Sequence, residues 1–103
     1  MGLFDIFRPT DINEELKNMK TIPSAVLLDV REEDEYEEEH IPNSVNIPLS
    51  NLEQIEDMHY TKDTPLFIYC HSGRRSGLAV MRLRELGYIN AKNIGGIIHY
   101  KKA

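Results

Sequence analysis

The fold follows most directly from the stretch LFIYCHSGRRSGLAVMRLREL, which covers residues 66–86. Its first four residues are aromatic or branched and predict a central strand, with Cys70 at the carboxyl end of that strand. From about Ser76 to Leu86 the apolar residues recur at helical spacing, and Gly87 suits the left-handed position that ends a helix. The stretch therefore predicts a strand, a polar turn and an amphipathic helix in succession.

Strands and helices alternate along the rest of the chain. The predicted elements are a helix that begins at Asp11, strands over 25–30, 45–47 and 91–94, helices over 32–39 and 49–58, and a break of the last strand at Gly95–Gly96. Such alternation favours a mostly parallel sheet with helices on both faces, because right-handed crossovers place the helices there. We therefore expect an α/β fold in which ligands bind beyond the carboxyl ends of the strands, where Cys70 lies.

Length and composition indicate one folded, water-soluble domain, residues 1–103, with 41% hydrophobic and 28% charged residues. No apolar run approaches the roughly 18 to 20 residues that cross a bilayer, and residues 1–9 lack a basic start followed by a long apolar stretch. We expect a cytoplasmic protein without a membrane partner. The single cysteine excludes an internal disulfide, so a second thiol for any chemistry at Cys70 must come from another molecule.

Charge is distributed unevenly along the chain, whose net charge is -5. Residues 1–69 carry 5 basic and 16 acidic side chains, whereas residues 70–103 carry 7 basic and 1 acidic. The acidic majority disfavours nucleic acid as a partner, while the basic last third favours a small anionic substrate. The acidic run over 32–39 is interpreted as a solvated helical face, and it could also dock a basic protein.

The loop from Cys70 to Ser76 carries the candidate chemistry. Gly73 permits a tight turn, so that successive amides can point inward at the start of a helix and form a cup for an anion. A free cysteine has a pKa of about 8.5 and needs such donors or nearby cations to become a thiolate at neutral pH. We predict that Cys70 is a nucleophile with a lowered pKa and that Arg75 is catalytic. The other loop members are predicted to bind substrate, with arginines holding its oxygens: His71, Ser72, Gly73, Arg74 and Ser76.

An alternative interpretation makes Cys70 a buried, inert residue at the end of a strand, which is a common position for free cysteine. The composition of the following loop favours the functional interpretation. Its glycine, two arginines and two serines are unusual after an inert cysteine.

Four segments together resemble the rhodanese family. The loop is similar to the family's active-site loop, which has cysteine, two variable residues, glycine, one residue and often arginine. The matching segments are Cys70, Gly73 and Arg75 in the loop, LLDVR at 27–31, HIPNSVNIP at 40–48, and Gly95–Gly96. The resemblance covers roughly residues 10 to 100. Family members often have tryptophan soon after the double glycine, and Tyr100 stands near that place here.

This resemblance implies a rhodanese-like domain with a central parallel sheet of about five strands, flanked by helices on both faces. It also implies a thiosulfate sulfurtransferase, which moves sulfane sulfur from thiosulfate or another donor to cyanide, a thiol or a protein acceptor through a Cys70 persulfide. No cofactor is expected. His59 and His99 have no cysteine or carboxylate partners at ligand spacing, so a zinc site is not expected either.

Three further side chains have candidate supporting roles. Asp29 lies at a strand end and could orient the loop by pairing with Arg75, or it could pair with Arg31. His40 is expected to cap the turn before Pro42 and to have a structural role. An alternative interpretation is that the ion pair of Asp29 has a purely structural role.

Two other functions compete with sulfur transfer. Cysteine-dependent phosphatases and arsenate reductases need arginine six positions after the cysteine, where this chain has Ser76, while its own Arg75 falls at the fifth position. A silent rhodanese-like module that binds a protein is the second alternative, but such modules usually lack the cysteine. The loop therefore favours the sulfurtransferase over both.

Overall fold

A computed structural model describes residues 10–102, which fold around a four-stranded parallel sheet. The strands are β1 (Val26–Asp29), β2 (Val45–Asn46), β3 (Leu66–Cys70) and β4 (Ala91–Gly96), in the spatial order β2-β1-β3-β4. The helices are α1 (Ile12–Lys20), α2 (Glu33–Glu38) and α3 (Arg74–Glu85), with 3₁₀ segments at Leu49–Met58 and Ile97–His99. The predicted α/β fold with a parallel sheet is confirmed, and four described strands come close to the expected five.

Two hydrophobic clusters cover opposite faces of the sheet, because side chains alternate along β1 and β3. On one face Leu28 and Ile68 pack with residues of α3 and of the 3₁₀ segment Leu49–Met58. On the other face Leu27 and Phe67 pack with residues of α1. All five residues of β3 are buried, as is usual for a parallel strand between two layers of helices. This strand ends in Cys70, which belongs to the cluster on the α3 side of the sheet.

The helices that flank the site begin as the sequence predicts, with one shift. Asp11 caps α1 by accepting a hydrogen bond from the Asn13 amide at 3.0 Å. α3 begins at Arg74, two residues before the predicted start, because Gly73 takes the left-handed conformation with φ of 103° and serves as its N-cap. The loop is therefore shorter than expected, and both arginines belong to the first turn of α3.

The prediction that Gly95–Gly96 breaks the last strand is wrong, because both glycines lie inside β4. Gly95 has φ of 107° at a bulge, where Ile68 pairs with Asn93 but Tyr69 pairs with Gly95. The strand then continues, and Gly96 pairs with Cys70. The double glycine thus places a bulge in the strand beside the cysteine, and the strand ends at Gly96.

The region over 49–58 is a 3₁₀ segment with a kink at Asn51, whose φ of -121° is not helical. Its buried residues Leu52 and Ile55 belong to the cluster beneath α3. No helix within residues 10–102 is long and apolar enough to span a membrane.

Candidate functional site

Cys70 ends β3 at the carboxyl edge of the sheet, and its sulfur faces the first turn of α3. The Gly73 amide donates a hydrogen bond to Cys70 Sγ at 3.1 Å, and Ser76 Oγ lies 3.4 Å from the same atom. The cysteine is 1% exposed, whereas His71 and Ser72 of the adjoining loop are exposed. The nitrogens of the turn therefore point inward at the sulfur, as the sequence predicts.

These contacts favour the thiolate. Burial by itself raises the pKa of the Cys70 thiol, because a charge is poorly solvated there. Hydrogen bonds from the Ser76 hydroxyl and from the amides of Ser76, Gly73 and Ser72 outweigh burial and leave the pKa below its ordinary value. This geometry is unlike that of an inert core cysteine, which has no such ring of donors.

Asn93 connects β4 to the loop, and sequence reasoning missed it. Its Oδ1 accepts from Ser76 Oγ at 2.7 Å and from the Gly95 amide at 3.0 Å. Its Nδ2 donates to the Gly73 carbonyl at 3.0 Å. Asn93 therefore holds two of the groups that contact Cys70. The only signal in the sequence was a polar residue in a strand shortly before the double glycine.

Arg75 forms a two-pronged ion pair with Glu35 of α2. Its two terminal nitrogens lie 2.7 and 3.0 Å from the two carboxylate oxygens. The hydrogen bonds from Arg75 lower the pKa of Glu35 to about 2, and they raise the pKa of Arg75. Arg75 was predicted to hold substrate oxygens, but here its donors already face a carboxylate. The sequence places Glu35 only within a solvated helical face. In the structure its side chain is 32% exposed.

Asp29 pairs with Arg31, one of the two partners that the sequence left open. Asp29 is fully buried and Arg31 is 5% exposed. The Arg31 Nε lies 3.1 Å from both carboxylate oxygens, and another guanidinium nitrogen is 2.8 Å from Oδ2 and 2.6 Å from the Glu39 carbonyl. Tyr69, beside Cys70, lies under the guanidinium, which is 5.8 Å from its ring centroid. The pair thus supports the carboxyl end of β1 next to the strand that carries the cysteine.

The remaining predicted residues occupy different positions around the sulfur. His71 is exposed, and its carbonyl accepts a hydrogen bond from the Ile98 amide at 3.2 Å. Arg74 is exposed at the start of α3, whereas Ser76 is fully buried beneath the sulfur. Beside the loop lies a surface depression lined by Arg31, Glu35, Glu38, Glu39, His71, Ile97 and Ile98.

Two side chains outside the loop have structural contacts. His40 stacks on the Tyr36 ring with centroids 3.8 Å apart, and its Nδ1 is 2.8 Å from the Tyr36 carbonyl. Tyr100 is partly buried against the cluster beneath α1. Within the part of the chain that the structure describes, no three histidine, cysteine or carboxylate residues are arranged to hold a metal ion.

Comparison with known proteins adds a family. A family model described as a rhodanese-like domain matches residues 13–103. The chain is 38% identical over 77 residues to the adenylyltransferase and sulfurtransferase uba4 of Ogataea parapolymorpha, a match that covers 74% of this chain and 20% of that protein. The chain therefore spans about a fifth of the length of this fungal relative.

Two smaller proteins are similar over more of their length. The thiosulfate sulfurtransferase PspE of Escherichia coli is 38% identical over 71 residues, covering 68% of each chain. The solved structure of the human single-domain sulfurtransferase TSTD1 has a TM-score of 0.77 and 28% identity, covering 93% of this chain and 99% of that one. These matches confirm the resemblance drawn from the four sequence motifs.

Proposed function

This chain belongs to the rhodanese-like domain family, and we propose that it is a sulfurtransferase in which Cys70 carries sulfur as a persulfide. The observation that carries the proposal is the convergence of the Gly73 amide and the Ser76 hydroxyl on Cys70 Sγ at the first turn of α3. These donors stabilise a sulfur anion through hydrogen bonds and through the partial positive charge of the helix end. The names of PspE and TSTD1 support the same chemistry.

In the first half-reaction the Cys70 thiolate attacks the outer sulfur of a donor such as thiosulfate. A bond forms between the two sulfur atoms while the sulfur–sulfur bond of thiosulfate breaks, and sulfite leaves with the bonding electron pair. Cys70 then holds a persulfide anion. We expect the amides of the loop to stabilise this anion as they stabilise the thiolate.

In the second half-reaction an acceptor attacks the outer sulfur of the persulfide. Cyanide takes the sulfur as thiocyanate, and the electron pair of the broken sulfur–sulfur bond returns to Cys70 as thiolate. A thiolate acceptor, small or on a protein, takes the sulfur in the same way and becomes a persulfide itself. No other oxidant or reductant is needed, because each step exchanges one nucleophile for another at sulfur.

The residues around the sulfur have different roles, according to where they lie. Ser72, Gly73 and Ser76 supply hydrogen bonds to the reacting atom. His71 and Arg74 are exposed beside it, where they can contact a donor or acceptor. Arg75 contributes a positive charge near the thiolate. Asp29 and Arg31 hold the neighbouring strand end in place and do not react.

The test is to incubate the protein with thiosulfate and to look by intact mass for one added sulfur atom. Peptide mapping should place that atom on Cys70, and cyanide should remove it as thiocyanate. The Cys70→Ser variant is the matched control and should neither gain the sulfur nor turn over. Full turnover by this variant would refute the assignment of the nucleophile. Comparable activity on phosphate monoesters would favour the phosphatase alternative.

A further inference from the structure

We propose that Glu35 determines which sulfur donors the site accepts: by holding Arg75 it disfavours dianionic donors such as thiosulfate relative to donors with less negative charge. The proposal rests on the sulfurtransferase function and deepens it, because it assigns a substrate preference to one residue. Glu35 does not contact the reacting sulfur. It acts through Arg75 and through its own charge.

The pair leaves Arg75 poorly placed to bind a substrate anion. Both terminal nitrogens of its guanidinium donate to Glu35, so the edge that these nitrogens form is already occupied by a carboxylate. Glu35 is itself held in position, because its Oε1 also accepts a hydrogen bond from the Glu32 amide at 3.0 Å. With its pKa near 2, Glu35 stays ionised at any working pH.

The charged side chains next to the loop also disfavour a dianionic donor. The depression beside His71 is lined by three carboxylates, those of Glu35, Glu38 and Glu39. Its one lining arginine, Arg31, already pairs with the buried Asp29.

Arg74 is exposed and adds one positive charge at the start of α3. The lining of the depression carries three carboxylates and one arginine. Two of these carboxylates have a cation nearby, since Glu35 pairs with Arg75 and Glu39 Oε1 lies 3.9 Å from Lys102 Nζ, so the excess of negative charge is smaller than the lining alone gives. A dianion approaching the sulfur from this side is repelled more strongly than a monoanion.

A pair of donors isolates this effect of charge. Methanethiosulfonate has a methyl group where thiosulfate has a charged oxygen, so it carries one negative charge instead of two. Both deliver the same outer sulfur to Cys70, thiosulfate releasing sulfite and methanethiosulfonate releasing methanesulfinate. The ratio of their kcat/KM values therefore measures discrimination by charge, largely independently of how well Cys70 reacts.

The decisive variant is Glu35→Gln, which removes the charge but keeps a carbonyl that can accept from the Glu32 amide. We expect kcat/KM for thiosulfate to rise roughly tenfold, mainly through a lower KM, because the Arg75 guanidinium becomes available for charge-assisted hydrogen bonds. For methanethiosulfonate we expect a change of less than about threefold. A double variant that carries both Glu35→Gln and Arg75→Gln should not show this increase in kcat/KM for thiosulfate.

Glu37→Gln is the matched control. Glu37 lies two residues further along α2 and lines a different depression, with Pro48 and Asn51. Removing its charge should leave the ratio of the two donors unchanged. A shift as large as that of Glu35→Gln would mean that the total charge of α2 matters and that the pair with Arg75 does not, which would overturn the proposal.

Wild-type protein gives an independent measurement should the variant fold poorly. Salt screens repulsion between charges, so raising the ionic strength should increase kcat/KM for thiosulfate relative to methanethiosulfonate. A relative decrease would indicate net attraction of the dianion and would contradict the proposal. Sulfur transfer with an unaltered donor preference in Glu35→Gln would overturn this inference alone. Absence of sulfur on Cys70 with both donors would overturn the proposed function, and this inference with it.

Discussion

Gly96 of β4 lies directly against His71, so closely that a Cβ on Gly96 would overlap the His71 carbonyl oxygen and come within 2.5 Å of the Ser72 Cα. The two segments meet because Cys70 and Gly96 are paired across β3 and β4. The backbone of β4 therefore forms one wall of the loop that surrounds the sulfur. Only hydrogen at this position leaves room for that wall.

Replacing Gly96 by alanine should displace the loop and destabilise the fold. We expect a loss of about 1–3 kcal/mol in the free energy of unfolding, because the added methyl meets backbone that cannot rotate away. Urea unfolding measures this loss of stability, and Gly77→Ala is the control. Gly77 lies inside α3 with only an ordinary contact at 3.4 Å, so alanine there should preserve or raise stability. An equally stable Gly96→Ala protein would show that the loop can move aside.

Removing the hydroxyl of Ser76 should make the thiolate less favourable. The Ser76 hydroxyl lies 3.4 Å from Cys70 Sγ and is one of the contacts that lower the pKa of Cys70. In Ser76→Ala we expect that pKa to rise, since the anion loses a donor inside a buried site. Thiolate absorbance followed against pH measures the change. Ser72→Ala keeps the backbone amide that contacts the sulfur and should shift the titration little.

Asn93 should affect the pKa of Cys70 without contacting the sulfur itself. The Ser76 hydroxyl has a single hydrogen, which Asn93 Oδ1 accepts at 2.7 Å. Asn93→Ala should therefore free that hydrogen for Cys70 Sγ, which lies 3.4 Å from Ser76 Oγ, and lower the pKa of Cys70. Asn90→Ala is a matched control, because the Asn90 side chain also donates to a carbonyl, that of Asp63. It should leave the thiolate titration unchanged. An unaltered titration in Asn93→Ala would limit Asn93 to a structural role.

Breaking the pair of Asp29 and Arg31 should be costly. Asp29→Ala would leave a nearly buried guanidinium without its counter-charge, and we expect a loss of about 3–5 kcal/mol in the free energy of unfolding. The exposed pair of Glu53 and Arg82 provides the comparison, because solvent screens it and Glu53→Gln should lower the free energy of unfolding far less. Urea unfolding of both variants tests this, and similar losses would contradict the expectation.

Glu35 should also contribute to the dependence of stability on pH. Its pKa in the folded protein is lowered from 4.5 to about 2, so its stabilising effect is complete above pH 4.5 and is lost as the pH falls through about 2. The urea midpoints of wild type and Glu35→Gln should therefore differ most above pH 4.5, and this difference should shrink as the pH is lowered from 4.5 towards 2. A difference that stays constant down to pH 2 would mean that Glu35 titrates normally.

The alternation of strands and helices could be predicted from residues close together in the chain. Apolar spacing identified α1, β1, β3 and α3, because burial acts on a strand or helix through its own periodicity. The same spacing placed Cys70 at the carboxyl end of a central strand. The exact start of α3 and the bulge in β4 were missed, since both depend on the left-handed conformations that Gly73 and Gly95 adopt in the folded chain.

Local sequence thus determined the parallel α/β architecture and the sulfur at the edge of its sheet. Tertiary structure alone decided the partners of that site. Glu35 and Arg75 are 40 positions apart, and Ser76 and Asn93 are 17 apart. No periodicity relates such residues, because their contact arises only when the crossovers bring separate strands and helices together. The two partners that sequence reasoning missed, Glu35 and Asn93, are therefore those contributed by elements outside the loop.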